Sequence, residues 1–212
     1  PVSLILNEAH TLEHALRGVE AGFNAVMLCS SDVKAVSRLV REAHGRGVAV
    51  EGELGTLPDA VGDEIDASRA SLTDPEQAAA FVEATGVDCL AVSFGNVHVL
   101  EGRTAAVDLE RLDAVHQRVG VPLVVHGGTS FPAEAVADAI ACGVAKFNVG
   151  TALKRAFLDG LTAAVASTAA AASPHDLLGS HGPADLLGAA QPRLVEVVRG
   201  LIRLYGGSGR AA

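Results

Sequence analysis

Two short segments hold the residues with the most chemical reach. The run Val121–Pro132 (VPLVVHGGTSFP) carries an apolar stretch into His126 and then Gly127, Gly128 and Thr129. One expected helix later, Val144–Thr151 (VAKFNVGT) ends in Asn148, Val149, Gly150 and Thr151. Each reads as a strand, a polar Gly-containing turn and a helix start, and backbone N–H groups at a helix start are donors for an anion. Two such turns on neighbouring strands suit the phosphate site that a β/α barrel builds after its last strands. The expected substrate is a small phosphorylated sugar or ketone. His98 follows the apolar run ending at Phe94, and Asn7 and Glu8 stand at the tip of the first run. Two histidines and a glutamate with an open position form a catalytic zinc set, and zinc held by Glu8, His98 and His126 would polarise a substrate carbonyl as a Lewis acid. Glu51 and Glu53 are two apart, so on a continuing strand they share a face; a turn at Gly52 would separate them, and an ion pair or hydrogen-bonded support is the competing reading. Cys29, at the second tip, reads as a small buried residue with a ligand as the alternative. The other six histidines read as surface or helical residues.

The elements that must position these groups repeat along the chain. Apolar runs at Val2–Leu6, Asn24–Leu28, Val48–Glu51, Cys89–Phe94, Pro122–Val125 and Ala145–Val149 have the near-continuous Val/Leu/Ile character of strands covered on both faces. Helical patterns fall at Leu12–Ala21, Val33–Arg46, Pro75–Thr85, Leu109–Val119, Ala133–Cys142 and Lys154–Ala172, with a closing amphipathic helix at about Gln191–Leu204. Glycines at 22, 47, 86, 120 and 143 mark helix ends. Thr73-Asp74-Pro75-Glu76 marks a helix start, with Pro in the first turn and acids near the positive end of the dipole. Alternating strands and helices imply a parallel sheet with right-handed crossovers. Six repeats alone suit an open doubly wound sheet, but candidate residues at the C-terminal tips of many strands favour a TIM (β/α)8-type barrel. Residues 1–212 read as a single barrel domain. Gly55–Leu72 reads as a polar lid or substrate loop, and about 162–190 as an Ala-rich variable connection.

Composition narrows the function. Hydrophobic residues make up 49% and charged residues 19%, which supports a packed core rather than disorder. A net charge of −9, one Tyr and no Trp disfavour a nucleic-acid surface. No unbroken apolar run reaches the length of a membrane span, and no signal peptide is visible at the start. Three cysteines without a C-x-x-C pair suit a reducing cytoplasm.

Over nearly its whole length the chain resembles the class II, metal-dependent ketose-bisphosphate aldolases, the group of fructose- and tagatose-bisphosphate aldolases. The resemblance rests on AGFNAVMLCSS, AHGRGVAVEGELG, TDPEQAAAFVEATGVDCLAVSFGNVH, VPLVVHGG, GVAKFNVGTALKRAF and the tail VVRGLIRLYGGSGRA. It implies an eight-stranded (β/α) barrel, usually a homodimer or homotetramer. By position the chain begins at the family's third strand, so the first two β/α units are missing from the sequence and strands three to eight plus the C-terminal helices remain. It also implies Zn2+ or another divalent metal, a base that removes a proton from dihydroxyacetone phosphate, and addition of the enediolate to an aldehyde. By position His98 and His126 match metal-binding histidines, and Glu53 matches a glutamate close to the metal. Gly127–Thr129 and Asn148–Thr151 match the phosphate cradle.

Departures from the family pattern accompany these matches. The family's Asp-His pair, proton donor and zinc ligand, appears as Asn7-Glu8: Asn7 can hydrogen-bond but not transfer a proton, whereas Glu8 keeps a ligand's chemistry. An acidic family position is Cys29, a Gly after the first metal histidine is Val99, and a nearby Lys is Gly102 with Arg103 beside it. Pro58–Gly62 replaces the Gly-Gly loop that carries the family's base, which leaves Asp63 or Glu64 as the candidate base. The expected function is reversible aldol cleavage and condensation of a phosphorylated ketose. The alternatives are a relative with altered chemistry, such as a carbon–carbon ligase or isomerase, and an inactive barrel acting as a binding or regulatory subunit.

Overall fold

A computed structural model describes residues 2–61, 64–66, 70–100, 102–168 and 172–210. They fall into two compact units, Pro1–Asn148 and Val149–Ala212.

The first unit alternates strand and helix: β1 (Ile5–Ala9), α1 (Leu12–Glu20), β2 (Ala25–Leu28), α2 (Val33–His44) and β3 (Ala49–Leu54). A short antiparallel pair follows, β4 (Asp59–Val61) and β5 (Glu64–Asp66). Then come α3 (Pro75–Thr85), β6 (Cys89–Val92), α4 (Leu109–His116), β7 (Leu123–Val125), α5 (Val136–Ala141) and β8 (Val144–Phe147). Side-chain acceptors set the helix starts: Thr11 takes the His14 N–H, Asp32 those of Lys34 and Ala35, Asp74 that of Gln77, and Asp108 that of Arg111. After α3, Gly86 turns the chain at φ 72° toward β6.

Six strands form one parallel sheet in the order β1-β2-β3-β6-β7-β8. Its core is aliphatic: Val26, Met27, Leu28, Val50, Leu90, Leu123 and Val125 from strands, and Val36, Leu39, Leu112 and Val115 from helices, are all buried. Each such side chain stabilises the fold by about 2 kcal/mol relative to exposure. In a flat sheet the first and last strands would lie five spacings of about 4.8 Å apart, roughly 24 Å. Yet Asn148, just past β8, reaches Asn7 on β1 at 3.4 Å. The sheet is therefore curled, as in part of a TIM-like barrel, and it gathers the strand tips at one end.

Several boundaries differ from the sequence expectation. The first strand covers Ile5–Ala9 rather than Val2–Leu6, so Asn7 and Glu8 lie within it. The third continues through Gly52 to Leu54, so Glu51 and Glu53 do share a face; Gly52 faces the other way, where an added Cβ would sit 2.9 Å from Phe81 of α3. Within the segment read as a lid or substrate loop, the described residues include β4 and β5, and Thr56 pairs with Ser71.

The second unit holds α6 (Thr151–Ala166), α7 (Pro174–Leu177) and α8 (Leu186–Leu204). Helix α8 starts five residues earlier than its apolar pattern suggested, because Asp185 accepts from the N–H groups of Leu187 and Gly188 and caps it. Helices α6 and α8 touch where Gly160 leaves no side chain between itself and the backbone of Ala190. Among the described residues no helix is long and apolar enough to cross a membrane.

Candidate active site

Two irregularities in the sheet aim the key side chains. Between Leu6 and Ala9, β1 has one residue more than its partner: Leu6 pairs with Val26 and Ala9 with Leu28. This bulge puts Glu8 at φ 57°, in the left-handed region. Its carboxylate thereby comes to 3.6 Å from Nδ1 of His126. A second extra residue, in β8, lies between the pairs Leu123–Val144 and Val124–Lys146, and Lys146 points at Glu51.

His126 is 1% exposed, and the surroundings of its ring fix its chemistry. Nε2 lies 2.9 Å from Glu51 Oε1, itself buried. A carboxylate only accepts, so the proton sits on Nε2 and donates to Glu51. Lys146 ion-pairs with the other oxygen of Glu51. Burial pushes the Glu51 carboxyl upward, but the His126 hydrogen bond and the Lys146 charge outweigh it and hold the group below its ordinary value. Asn148 Nδ2 lies 2.9 Å from the same ring nitrogen; with the proton on Nε2, a turned-over Asn148 amide meets it through oxygen. The opposite nitrogen, Nδ1, is buried and has no hydrogen-bond partner among the described residues.

What faces Nδ1 is the Glu8 carboxylate at 3.6 Å and Glu53 at 4.0 Å. One ligand atom each from Glu8, His98 and His126 lies within 4.8 Å of the others. A lone pair turned toward two carboxylates is unfavourable without a cation between them, and a carboxylate–histidine contact on the far nitrogen is the usual support of a metal-bound imidazole. The donor set therefore fits a divalent metal. Glu53 adds to the negative field: burial, reinforced by Glu8, raises its carboxyl against the opposing pull of His126 and His98. Burial, followed by the charges of Glu53 and Glu8, pushes the Cys29 thiol up to about 12, so without a metal it stays protonated.

His98 occupies a more open position, with its side chain 29% exposed. Its ring and that of His126 have centroids 5.9 Å apart. Nδ1 lies 3.5 Å from Asp59 Oδ1. The spacing of the two histidines is set by backbone: Gly127 adopts φ 73°, and a Cβ there would sit 2.2 Å from the Val97 carbonyl oxygen. Val99, next to His98, has φ 58° and is exposed, a costly conformation for a β-branched residue.

The remaining sequence candidates are placed as follows. Gly128 donates its N–H to the Asn148 carbonyl at 2.9 Å, which ties the two turns of this unit together and commits that N–H to the protein. Thr129 continues the same turn. Asn7 meets the Asn148 side-chain amide at 3.4 Å. Glu64 is exposed at the start of β5 and is not in the three-residue ligand group; Asp63 lies outside the described residues. In the second unit, Val149 and Gly150 lead into Thr151, the first residue of α6. A polar cleft of about 680 Å³ is lined by Cys29, Ser30, Ser31, Glu53, Thr56 and Ser71, among others. Sequence reasoning missed Lys146 and Asp59. A lysine inside an otherwise apolar expected strand demands a buried counter-charge, and that signal pointed to Lys146; for Asp59 there was none.

The chain is similar to proteins of one known family. The sequence profile of the class II fructose-bisphosphate aldolases matches residues 1–210. The YdjI aldolase of Escherichia coli K12 is 27% identical with a TM-score of 0.73, over 97% of this chain and 68% of that one. A candidate fructose-1,6-biphosphate aldolase from Coccidioides immitis is 28% identical with a TM-score of 0.80, over 100% of this chain and 73% of that one. The fructose-bisphosphate aldolase of Campylobacter jejuni shares the fold, at 20% identity and a TM-score of 0.70, over 95% of this chain and 70% of that one. With a profile match across the sheet, the ligand group and the helices that follow, the chain belongs to the class II fructose-bisphosphate aldolase family and is an aldolase-like lyase.

Proposed function

We propose that the chain catalyses reversible aldol cleavage and condensation of a phosphorylated ketose, with dihydroxyacetone phosphate as the ketone half. A divalent metal, zinc in the first instance, would be held by Glu8, His98 and His126, with Glu53 beside it. The observation that carries this reading is the buried, unpartnered Nδ1 of His126, facing Glu8 and Glu53 while Glu51 holds the opposite nitrogen. When bound, the metal supplies Lewis-acid polarisation of the substrate carbonyl. Glu51 and Lys146 keep the His126 ring in one orientation and one tautomer. The hydroxyl-rich cleft beside Glu53 suits a small polyhydroxylated substrate. Phosphate binding is assigned to Gly127, Gly128, Thr129 and Asn148 in the first unit and to Val149, Gly150 and Thr151 in the second. With the Gly128 N–H already engaged, the first-unit share falls on the other donors of that turn. Asp63 or Glu64 serves as the base.

The test is elemental analysis of purified protein together with a cleavage assay on fructose- and tagatose-bisphosphate. Metal should accompany the wild type and be lost, along with turnover, in His126→Ala. Metal-free wild type combined with an unaffected His126→Ala protein would sink the proposal.

One observation favours a second reading, a relative with altered chemistry. Asn7 lies 3.4 Å from the Asn148 side-chain amide, and its own amide has no proton to transfer to an aldehyde oxygen. Asn7→Asp separates the readings: a large gain in bisphosphate cleavage marks an aldolase short of its acid, and no gain marks a different reaction.

A further inference from the structure

We infer that Asn96 is the positioning residue that fixes the spacing of His98 and His126: its amide clasps the loop carrying the first histidine to the carbonyl of the second. Where it concerns an ion, this inference rests on the metal reading above.

Asn96 is 0% exposed, and its amide is fully used. Oδ1 accepts the Phe94 N–H at 2.9 Å. Nδ2 donates to the Val92 carbonyl at 3.2 Å and to the His126 carbonyl at 2.9 Å. These partners settle which end of the amide is which: turned over, its oxygen would face two carbonyls and its NH2 would face an N–H. The three bonds gather the end of β6, the loop after it and the tip of β7. The β6–β7 ladder pairs Leu90 with Leu123 and Ala91 with Val124. Two residues past Val124, the Asn96 side chain supplies the cross-link at His126.

Both histidines lie close to that cross-link along the chain. His126 is held by its own carbonyl, and His98 follows Asn96 by two residues. Between Asn96 and His98, Val97 is buried and its carbonyl abuts Gly127. The loop thus meets the turn after β7 at two consecutive residues. The two rings stand with centroids 5.9 Å apart and are tilted by 33°. A ligand group whose donor atoms lie within 4.8 Å of one another depends on that backbone spacing. Glu51 and Lys146 orient the His126 ring, whereas Asn96 sets where the second ring stands relative to it. Removing the amide would leave a buried N–H and two carbonyls without this partner, so the loop would shift to satisfy them.

The experiment compares the wild type, as the full chain, with Asn96→Ser and with Asn96→Asp, which keeps the shape but, ionised, loses both donors. Leu39→Ala, in the buried face of α2, controls for a general loss of stability. NMR of the metal-free protein reports the nuclear Overhauser contact between the His98 and His126 rings. Competition with a chromophoric chelator reports zinc affinity, and the absorption spectrum of the cobalt(II) form reports ligand geometry. The wild type should show the ring contact. Both Asn96 variants should lose it, bind zinc about tenfold more weakly and change the cobalt spectrum. Leu39→Ala should lower the urea midpoint and leave all three readouts unchanged. Retention of either the ring contact or the wild-type zinc affinity in a folded Asn96 variant overturns the inference, as does an equal loss of affinity in Leu39→Ala. Should neither Asn96 variant fold, the wild type still decides: its Asn96 NH2 protons should resist exchange with solvent, and rapid exchange overturns the clasp. A wild type that binds neither zinc nor cobalt sinks the metal reading instead, while the ring contact still decides the role of Asn96.

Discussion

The two histidines of the site are held in opposite ways. His126 sits at the end of β7 in the sheet interior, 1% exposed, against a buried carboxylate that a lysine neutralises. His98 sits in a loop, partly exposed, against an exposed aspartate brought to it by a docked hairpin. The first arrangement belongs to the core, so disturbing it should cost stability. The second is an attachment to the surface, so disturbing it should cost geometry and little else. One site therefore has a rigid side and a side that can change without endangering the fold.

The sharpest way to break this contrast is Glu51→Ala, which strands the Lys146 charge and the His126 N–H. Loss of one member of a buried pair should lower unfolding stability by about 3 kcal/mol, measured by urea denaturation. The pH dependence has a definite sign. The Glu51 carboxyl is lowered in the fold, so its contribution is fully present above the unfolded value near about 4.3 and disappears as pH falls through the folded value. The stability gap between wild type and Glu51→Gln should accordingly narrow on acidification below that point; a gap that widens would contradict the buried pairing. On the His98 side, Val99→Gly should relieve the left-handed strain and raise stability by roughly 0.5–1 kcal/mol after the entropic cost of glycine. A loss instead would mean that the Val99 side chain makes a contact outweighing its backbone cost. The smallest effect belongs to Asp59→Ala, less than about 0.5 kcal/mol in thermal unfolding. A core-sized loss there would erase the distinction between the two histidines.

Much of this architecture was legible in the residues. Continuous apolar runs gave the six sheet strands, and Asp74-Pro75 gave the start of α3 with the cap that forms there. The residue types at the strand tips singled out Glu8, His98 and His126, which the fold brings together. What escaped has a common physical cause: periodicity encodes which face a residue occupies, not which partner it meets. The bulge that displaces β1 depends on one left-handed residue, Glu8, which looks like any other glutamate in the sequence. Glu51, His126 and Lys146 meet across three strands, at separations no local pattern records. The hairpin of β4 and β5 has three-residue strands, too short to show an alternation. Its anchor under Ala60 is supplied by residues near position 100.

The hydrogen-only side chain of Gly127 would bear on the choice of any ion held by the two histidines. Val97 precedes His98 and Gly127 follows His126, so the near-contact between them acts as a gauge block between the two donors. A single carbon added at that position would work as a wedge, widening the bite of the site without altering any ligand. Should an ion bind, its tolerated radius would in that sense be set by the backbone rather than by the side chains that would grip it.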